Sequence, residues 1–272
     1  MHNKFIAQGA IFAALLSSVV TFSSFRPEGD NPHNTYLHKV SSPAGQMLLE
    51  YNADKTIKKI VQQHKTENAS YSDVQLPVYE NGRLVKSLLA DDEQTTTGDL
   101  YLSFDYAGTG DKVAKISYYR DGAVYAYDSL VYNNDGKLAT RYQFSKNAAK
   151  NTLENNGYQE YTWNEKGDVS QMDNYAKLPG NSKFMPVSSV SYTYDNRQNP
   201  QLQHPELASL LDATAPNLSA HNVLSESIST PHSSRVITNT YSYAYNAGKY
   251  PVRGTFSSGM DQTVAKMEWV KL

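Results

Sequence analysis

The chain has 272 residues, 39% hydrophobic and 19% charged, with a formal net charge of −2. That balance gives no electrostatic pull toward nucleic acid, and the length suits one large β domain or two ordinary ones. There is no cysteine, which excludes disulfides, thiolate metal sites, thiol chemistry and a lipid-anchored N-terminus.

Residues 1–24 read as a signal peptide: Lys4 in a short leading segment, an uncharged apolar run from Phe5 to Phe22, then Ser23 and Ser24 before polar sequence. Residues 25–45 carry Pro27, Pro32 and Pro43 and read as an extended linker. Residues 46–272 read as a single domain built from one recurring unit.

That unit is an aromatic-rich strand ending in Tyr or Trp, a polar turn, and an apolar residue that opens the next strand. Its copies end on Tyr51, Tyr79, Tyr106, Tyr132, Trp163, Tyr194 and Tyr245, at spacings of 28, 27, 26, 31, 31 and 51 residues. Asn-Gly and Asp-Gly turns supply the positive φ that a tight hairpin needs. Alternation, as in Tyr192-Thr193-Tyr194 and Tyr241-Ser242-Tyr243-Ala244-Tyr245, puts the rings on one sheet face. A lone hairpin is marginal in water, so the units pair edge to edge. The expected fold is all-β: one long twisted antiparallel sheet of hairpins, curled into a barrel or half-barrel, with one short helix-and-loop insertion.

The pattern aromatic-x-Tyr-Asn/Asp-x-x-Gly-Lys/Arg-Leu/Val, carried by Val131-Tyr132-Asn133-Asn134-Asp135-Gly136-Lys137-Leu138 and Tyr161-Thr162-Trp163-Asn164-Glu165-Lys166-Gly167-Asp168-Val169, resembles the YD (RHS-type) repeat. More closely it is similar to secreted bacterial proteins of unknown function whose hairpins build a porin-like sheet. The resemblance implies a curved antiparallel sheet in a water-soluble exported protein, periplasmic or secreted, and implies no activity.

Three segments break the repeat. Asp91 to Asp99 and Lys146 to Gly157 read as loops. The longest, 199–232, holds Pro200, Pro205, Pro216 and Pro231 and reads as an insertion excluded from the central sheet. Within it, Pro205 to Ala213 predicts a short helix with Leu207, Leu210 and Leu211 on one face, either a plug covering the apolar mouth or concave side of the sheet or a partner-binding helix or lid.

No catalytic constellation is present in the sequence, and neither a metal site nor a cofactor is expected. There is no His-Glu-x-x-His and no Gly-x-Ser-x-Gly, and Asn133-Asn134-Asp135-Gly136 lacks the first and last ligands of a calcium loop. The expected role is non-enzymatic: a scaffold or a binder of a glycan or protein ligand on an aromatic sheet face, with Trp163, Tyr192, Tyr194, Tyr241, Tyr243 and Tyr245 as the candidate ligand-face rings. Neither nucleic-acid binding nor stable membrane insertion is expected. The alternatives are an outer-membrane β-barrel, which needs an apolar outward band, and a carboxylate-dependent glycan hydrolase.

Overall fold

The computed structural model describes residues 34–66, 69–108, 110–147, 150–177, 182–231 and 233–272; the signal segment and most of the linker lie outside them. The described chain is a closed barrel of sixteen antiparallel strands joined in sequence order, with the first strand paired to the last. The strands are β1 (Thr35–Ser42), β2 (Gly45–Tyr51), β3 (Ile57–Lys65), β4 (Ser70–Glu80), β5 (Arg83–Ala90), β6 (Asp99–Tyr106), β7 (Val113–Arg120), β8 (Ala123–Tyr132), β9 (Leu138–Asn147), β10 (Thr152–Trp163), β11 (Val169–Lys177), β12 (Phe184–Gln198), β13 (His221–Ser229), β14 (Ile237–Tyr245), β15 (Pro251–Ser258) and β16 (Asp261–Lys271). Two short helices, α1 (Leu207–Leu210) and α2 (Ala215–Leu218), lie between β12 and β13 after a 3-10 turn at Pro200–Gln203.

The recurring unit occurs at eight places around the barrel. At each, the terminal aromatic pairs with the apolar residue that opens the next strand, and one extra residue follows as a β-bulge. Tyr132 thus faces Leu138, and the bulge separates this pair from Val131 and Thr140. The eighth copy joins the chain ends, where Trp269 pairs with Leu37. A bulge leaves main-chain groups out of the ladder, and buried carbonyls need a donor. The aromatic of the following hairpin supplies it. Tyr106 and Tyr132 donate from their hydroxyls to the carbonyls of Leu84 and Val113 at 2.9 Å each. Trp163 and Trp269 donate from Nε1 to Leu138 and Pro251 at 2.7 and 2.8 Å. Tyr194 reaches Val169 at 2.5 Å, and Tyr51 and Tyr79 reach Leu37 and Ile57.

The basic residue of the motif covers the same rings. Arg83, Lys112 and Lys137 lie over Tyr106, Tyr132 and Trp163 at 5.3, 5.7 and 5.2 Å. Tyr36 and Tyr250 take the equivalent place against Tyr51 and Trp269, at 5.6 and 4.9 Å. These rings form a collar inside one end of the barrel. Beneath it, Leu37, Ile57, Leu84, Val113, Leu138 and Val169 are buried in one core with Leu207, Leu210, Ala213 and Ala215 of the insertion. The insertion is therefore the plug that its leucines foretold.

Three boundaries differ from the sequence expectation. Thr35–Ser42, within the expected linker, is strand β1 and closes the barrel; its bulge at His38 interrupts the alternation that would have marked it. The interruption after β12 ends at Ala220, and His221–Ser229, expected inside the insertion, is β13. The four prolines flank that strand and none lies within it. The Lys146–Gly157 loop is shorter than expected, since β10 begins at Thr152. The Asp91–Gly98 connection is a loop and folds over the outer wall, where Lys59 donates to the Glu93 carbonyl at 2.8 Å and Ser72 to its carboxylate at 3.2 Å. Beneath it lie the outward Val61, Val74 and Ala90.

The collar predicts an alkaline transition. Burial raises the Tyr132 hydroxyl from its ordinary 10.0 to about 12 and pushes Tyr51, Tyr79, Tyr106 and Tyr194 up as well. A hydroxyl whose folded pKa exceeds its unfolded one contributes stability that is intact below pH 10 and lost as pH rises through the folded values. Unfolding followed by circular dichroism should therefore set in between pH 10 and about 12, together with tyrosinate absorbance. Tyr132→Phe, which leaves the Val113 carbonyl without its donor, should cost roughly 1–3 kcal/mol in urea unfolding at neutral pH.

Candidate functional site

Alternation and pairing assign every ring to one wall of the barrel. All six candidate rings read from the sequence, Trp163, Tyr192, Tyr194, Tyr241, Tyr243 and Tyr245, face inward, on the same side as the buried core. Trp163 and Tyr194 hold collar carbonyls. Tyr245, opposite the end of the plug, bonds Asp195 and accepts from Asn222 at 3.3 Å. Tyr241 and Asn239 donate to Glu226 at 3.1 and 2.7 Å. Burial, and then Glu226, raises the hydroxyl pKa of both Tyr192 and Tyr241. Tyr243 lies across from Gly254, where an added Cβ would make ordinary contact with its ring at 3.5 Å and press on Met267 Cε at 3.2 Å.

The inner wall also carries a buried ionic node. Arg141 donates to Asp128 at 2.7 Å and to Asp212 of the plug, and Tyr118 donates to Asp128 at 2.6 Å. Burial opposes the arginine charge, but Asp128 and Asp212 outweigh it and hold the guanidinium well above its ordinary value. These converging carboxylates are engaged by one cation that ties the plug to the wall. Tyr161 adds a second tie, donating to the Ala213 carbonyl at 2.9 Å.

Besides the apolar set under the Asp91–Gly98 loop, the outer wall has two further sectors. Across β12 to β15 most outward positions are hydroxyls, Ser189, Ser191, Thr193, Ser225, Ser227, Thr238, Thr240, Ser242, Thr255 and Ser257, with Ala244 and Arg253 also facing out. Across β8 to β12 it carries aromatic rings. Tyr142, Tyr158 and Tyr175 are direct cross-strand neighbours in one row that ends at Pro186. Tyr158 and Tyr175 stack at 4.5 Å and 11°, with Phe184 edge-on to Tyr158 at 5.1 Å. Tyr127 stacks on Phe144 at 4.3 Å in the next row. All of these rings are half-buried. One step along the strands, Thr140, Glu160, Asp173 and Ser189 form a parallel row of hydrogen-bonding side chains. Burial, followed by Glu160 and Asp173, raises the Tyr175 hydroxyl.

Sequence reasoning identified the alternating rings but not this outward set. The signal is a count from the collar. Tyr192, Tyr241 and Tyr243 stand an even number of places before their collar aromatic and face in. Tyr127 and Tyr158 each stand an odd number of places before Tyr132 and Trp163 and face out. Among the described residues, no three His, Asp or Glu side chains converge as a metal site.

In fold, the chain is similar to a porin-like protein from Bacteroides uniformis ATCC 8492, at 9% identity over 88% of this chain and 97% of that one, with a TM-score of 0.55. A porin-like protein from Bacteroides vulgatus ATCC 8482 aligns at 12% identity over 88% of this chain and 100% of that one, with a TM-score of 0.43. No protein-family model matches the sequence, and no curated protein matches it.

The node can be tested directly. Arg141→Met leaves Asp128 and Asp212 facing each other without their cation. It should destabilise the barrel by about 3–5 kcal/mol in urea unfolding and expose the plug, residues 199–220, to limited proteolysis.

Proposed function

We propose that the protein is an exported, water-soluble, non-enzymatic barrel that binds a ligand on the outward aromatic sector of β8 to β12. One observation carries this reading. The outer wall is Ser- and Thr-rich across β12 to β15, yet holds a contiguous set of half-exposed rings across β8 to β12. A contiguous apolar patch on a polar surface marks an interaction site. A membrane-spanning barrel needs outward apolar positions on every strand, and most outward positions of β12 to β15 are hydroxyls. Of the inward rings, Trp163 and Tyr194 serve the collar, Tyr241 bonds Glu226 and Tyr245 bonds Asp195, so the outward set is the one open to a partner.

The repeat fits a YD-like unit in which the Tyr is the carbonyl donor of the collar and the Lys or Arg its cover. An N-terminal export signal and a porin-like relative in fold agree with an envelope or secreted location. The barrel supplies a rigid base, because every strand is paired on both edges and has no free edge.

Two measurements test the reading. After a carbonate wash of cell membranes, the protein should be recovered in the aqueous fraction; recovery only in detergent would place it in the bilayer. On glycan and peptide arrays, replacing Tyr142, Tyr158 and Tyr175 with Ala together should weaken the bound ligand by at least about tenfold, or 1.4 kcal/mol, with circular dichroism unchanged. Undiminished binding would remove the outward sector as the site.

A further inference from the structure

The outward tyrosine row ends in a small cavity. Its volume is about 180 Å³, and it lies where β11, β12 and the end of β13 meet. The apolar side is Tyr175, Pro186 and Pro231; the polar lining includes Asp173, Ser189 and Ser229, with Asn174, Ser188 and Thr230 beside them. The register explains why these groups converge. Tyr175 pairs with Pro186, while Asp173, Ser189 and Ser229 are successive partners in the adjoining row. A bulge between Asn174 and Tyr175 opens the wall there. Both Asp173 oxygens accept from Gln171 Nε2 at 2.9 Å, which fixes the carboxylate. A carboxylate oxygen has capacity for a further donor.

We propose that this cavity binds one unit of a neutral saccharide, whose chain continues along Tyr175, Tyr158 and Tyr142. The inference rests on the outward sector being the binding face, and it names the ligand class. The chemistry selects for it in three ways. The cavity is smaller than the roughly 300–1,000 Å³ of drug-sized pockets, which limits it to a single sugar-sized unit. It sets an aromatic and proline side against a carboxylate and two hydroxyls, matching the apolar face and hydroxyl edge of a pyranose ring. Asp173 and the neighbouring Glu160 place two carboxylates along the path, which disfavours anionic chains such as sulfated glycans or nucleic acid. Strands lie about 4.8 Å apart, comparable to one pyranose unit, so successive units of a chain crossing the strands would meet successive side chains of both rows.

The test titrates the purified protein with cellohexaose, maltohexaose and mannohexaose by calorimetry, beside a sulfated heparin hexasaccharide and hexalysine. At least one neutral hexasaccharide should bind. Tyr175→Ala and Asp173→Ala should each weaken it by about tenfold or more, while Tyr175→Trp, which keeps a ring, should restore most of the affinity. Tyr241→Phe on the inner wall should leave it unchanged. Equal circular dichroism and melting temperature across the variants guard against a folding defect. Three results would overturn the assignment: no neutral hexasaccharide binding, binding indifferent to both Ala variants, or binding of hexalysine or heparin alone. If instead a peptide binds and is lost only in the triple Tyr142/Tyr158/Tyr175 variant, the outward face stands as the binding face and the saccharide assignment falls.

Discussion

The architecture depends on one recurring constraint: a main-chain carbonyl that each bulge displaces from the β-ladder just inside a hairpin turn. A buried carbonyl without a donor costs about 1–3 kcal/mol, and repeating that cost around the barrel would consume most of the 5–15 kcal/mol by which proteins are stable. Seven of the eight units answer a neighbour's deficit with a Tyr hydroxyl or Trp indole. The motif is therefore a statement about pairs of units. Its aromatic serves the preceding hairpin, and its Arg or Lys, as in Arg83 over Tyr106, covers the ring of the next. This reciprocity explains why neither position can drift alone and why the last unit must meet the first. Trp269 paired with Leu37, and Tyr51 bonded to the Leu37 carbonyl, close the circle.

A sixteen-strand barrel is wide enough to leave an aqueous channel. Here the plug fills one end. The unit that ends at Tyr194 does not turn tightly. The chain instead passes through Pro200 to Ala220 before Val223 takes its place opposite Tyr194. The interruption leaves its mark at the next unit: Tyr245, which by the pattern would serve Val223, bonds Asp195 and Asn222 instead. The plug is held on both sides, by apolar contact of Leu207 and Leu210 with the collar's core and by polar ties to Arg141 and Tyr161. His204, buried against the Tyr36 and Tyr51 rings at 5.3 and 5.0 Å, seats it on the side where the chain ends meet.

Much of this was legible in the sequence because turn chemistry and period are local properties. Asn133 to Leu138 and Asn164 to Val169 announce their hairpins, and seven of the eight collar rings follow from spacing alone. The eighth, Trp269, was hidden because its partner Leu37 lies at the far end of the chain, and only closure unites them. Strand β1 was obscured for a related reason. Its neighbourhood is rich in proline, and its bulge at His38 breaks the two-residue rhythm. Strand β13 was concealed by prolines on either side of it. Arg141, Asp128 and Asp212 gave no warning because their meeting depends on where the plug enters the lumen.

The faces were not legible, and the reason is physical. Alternation shows that two rings share a wall but not which wall, so Tyr125-Ala126-Tyr127 and Tyr192-Thr193-Tyr194 are equivalent as sequence. The collar supplies the missing origin, since its aromatic must point inward to reach a carbonyl. The bulge then resets the parity once per hairpin, so a ring after the turn is counted differently from a ring before it. Counting from that origin divides the tyrosines by duty. Inward rings such as Tyr106, Tyr132 and Tyr194 spend their hydroxyls on main-chain carbonyls. Outward rings such as Tyr158 and Tyr175 stack on one another at the water interface beside Glu160 and Asp173. The abundance of tyrosine over phenylalanine thus has two separate origins. Inside, the hydroxyl is needed as a donor to close the barrel. Outside, the ring packs on its neighbour while its polar tip stays accessible.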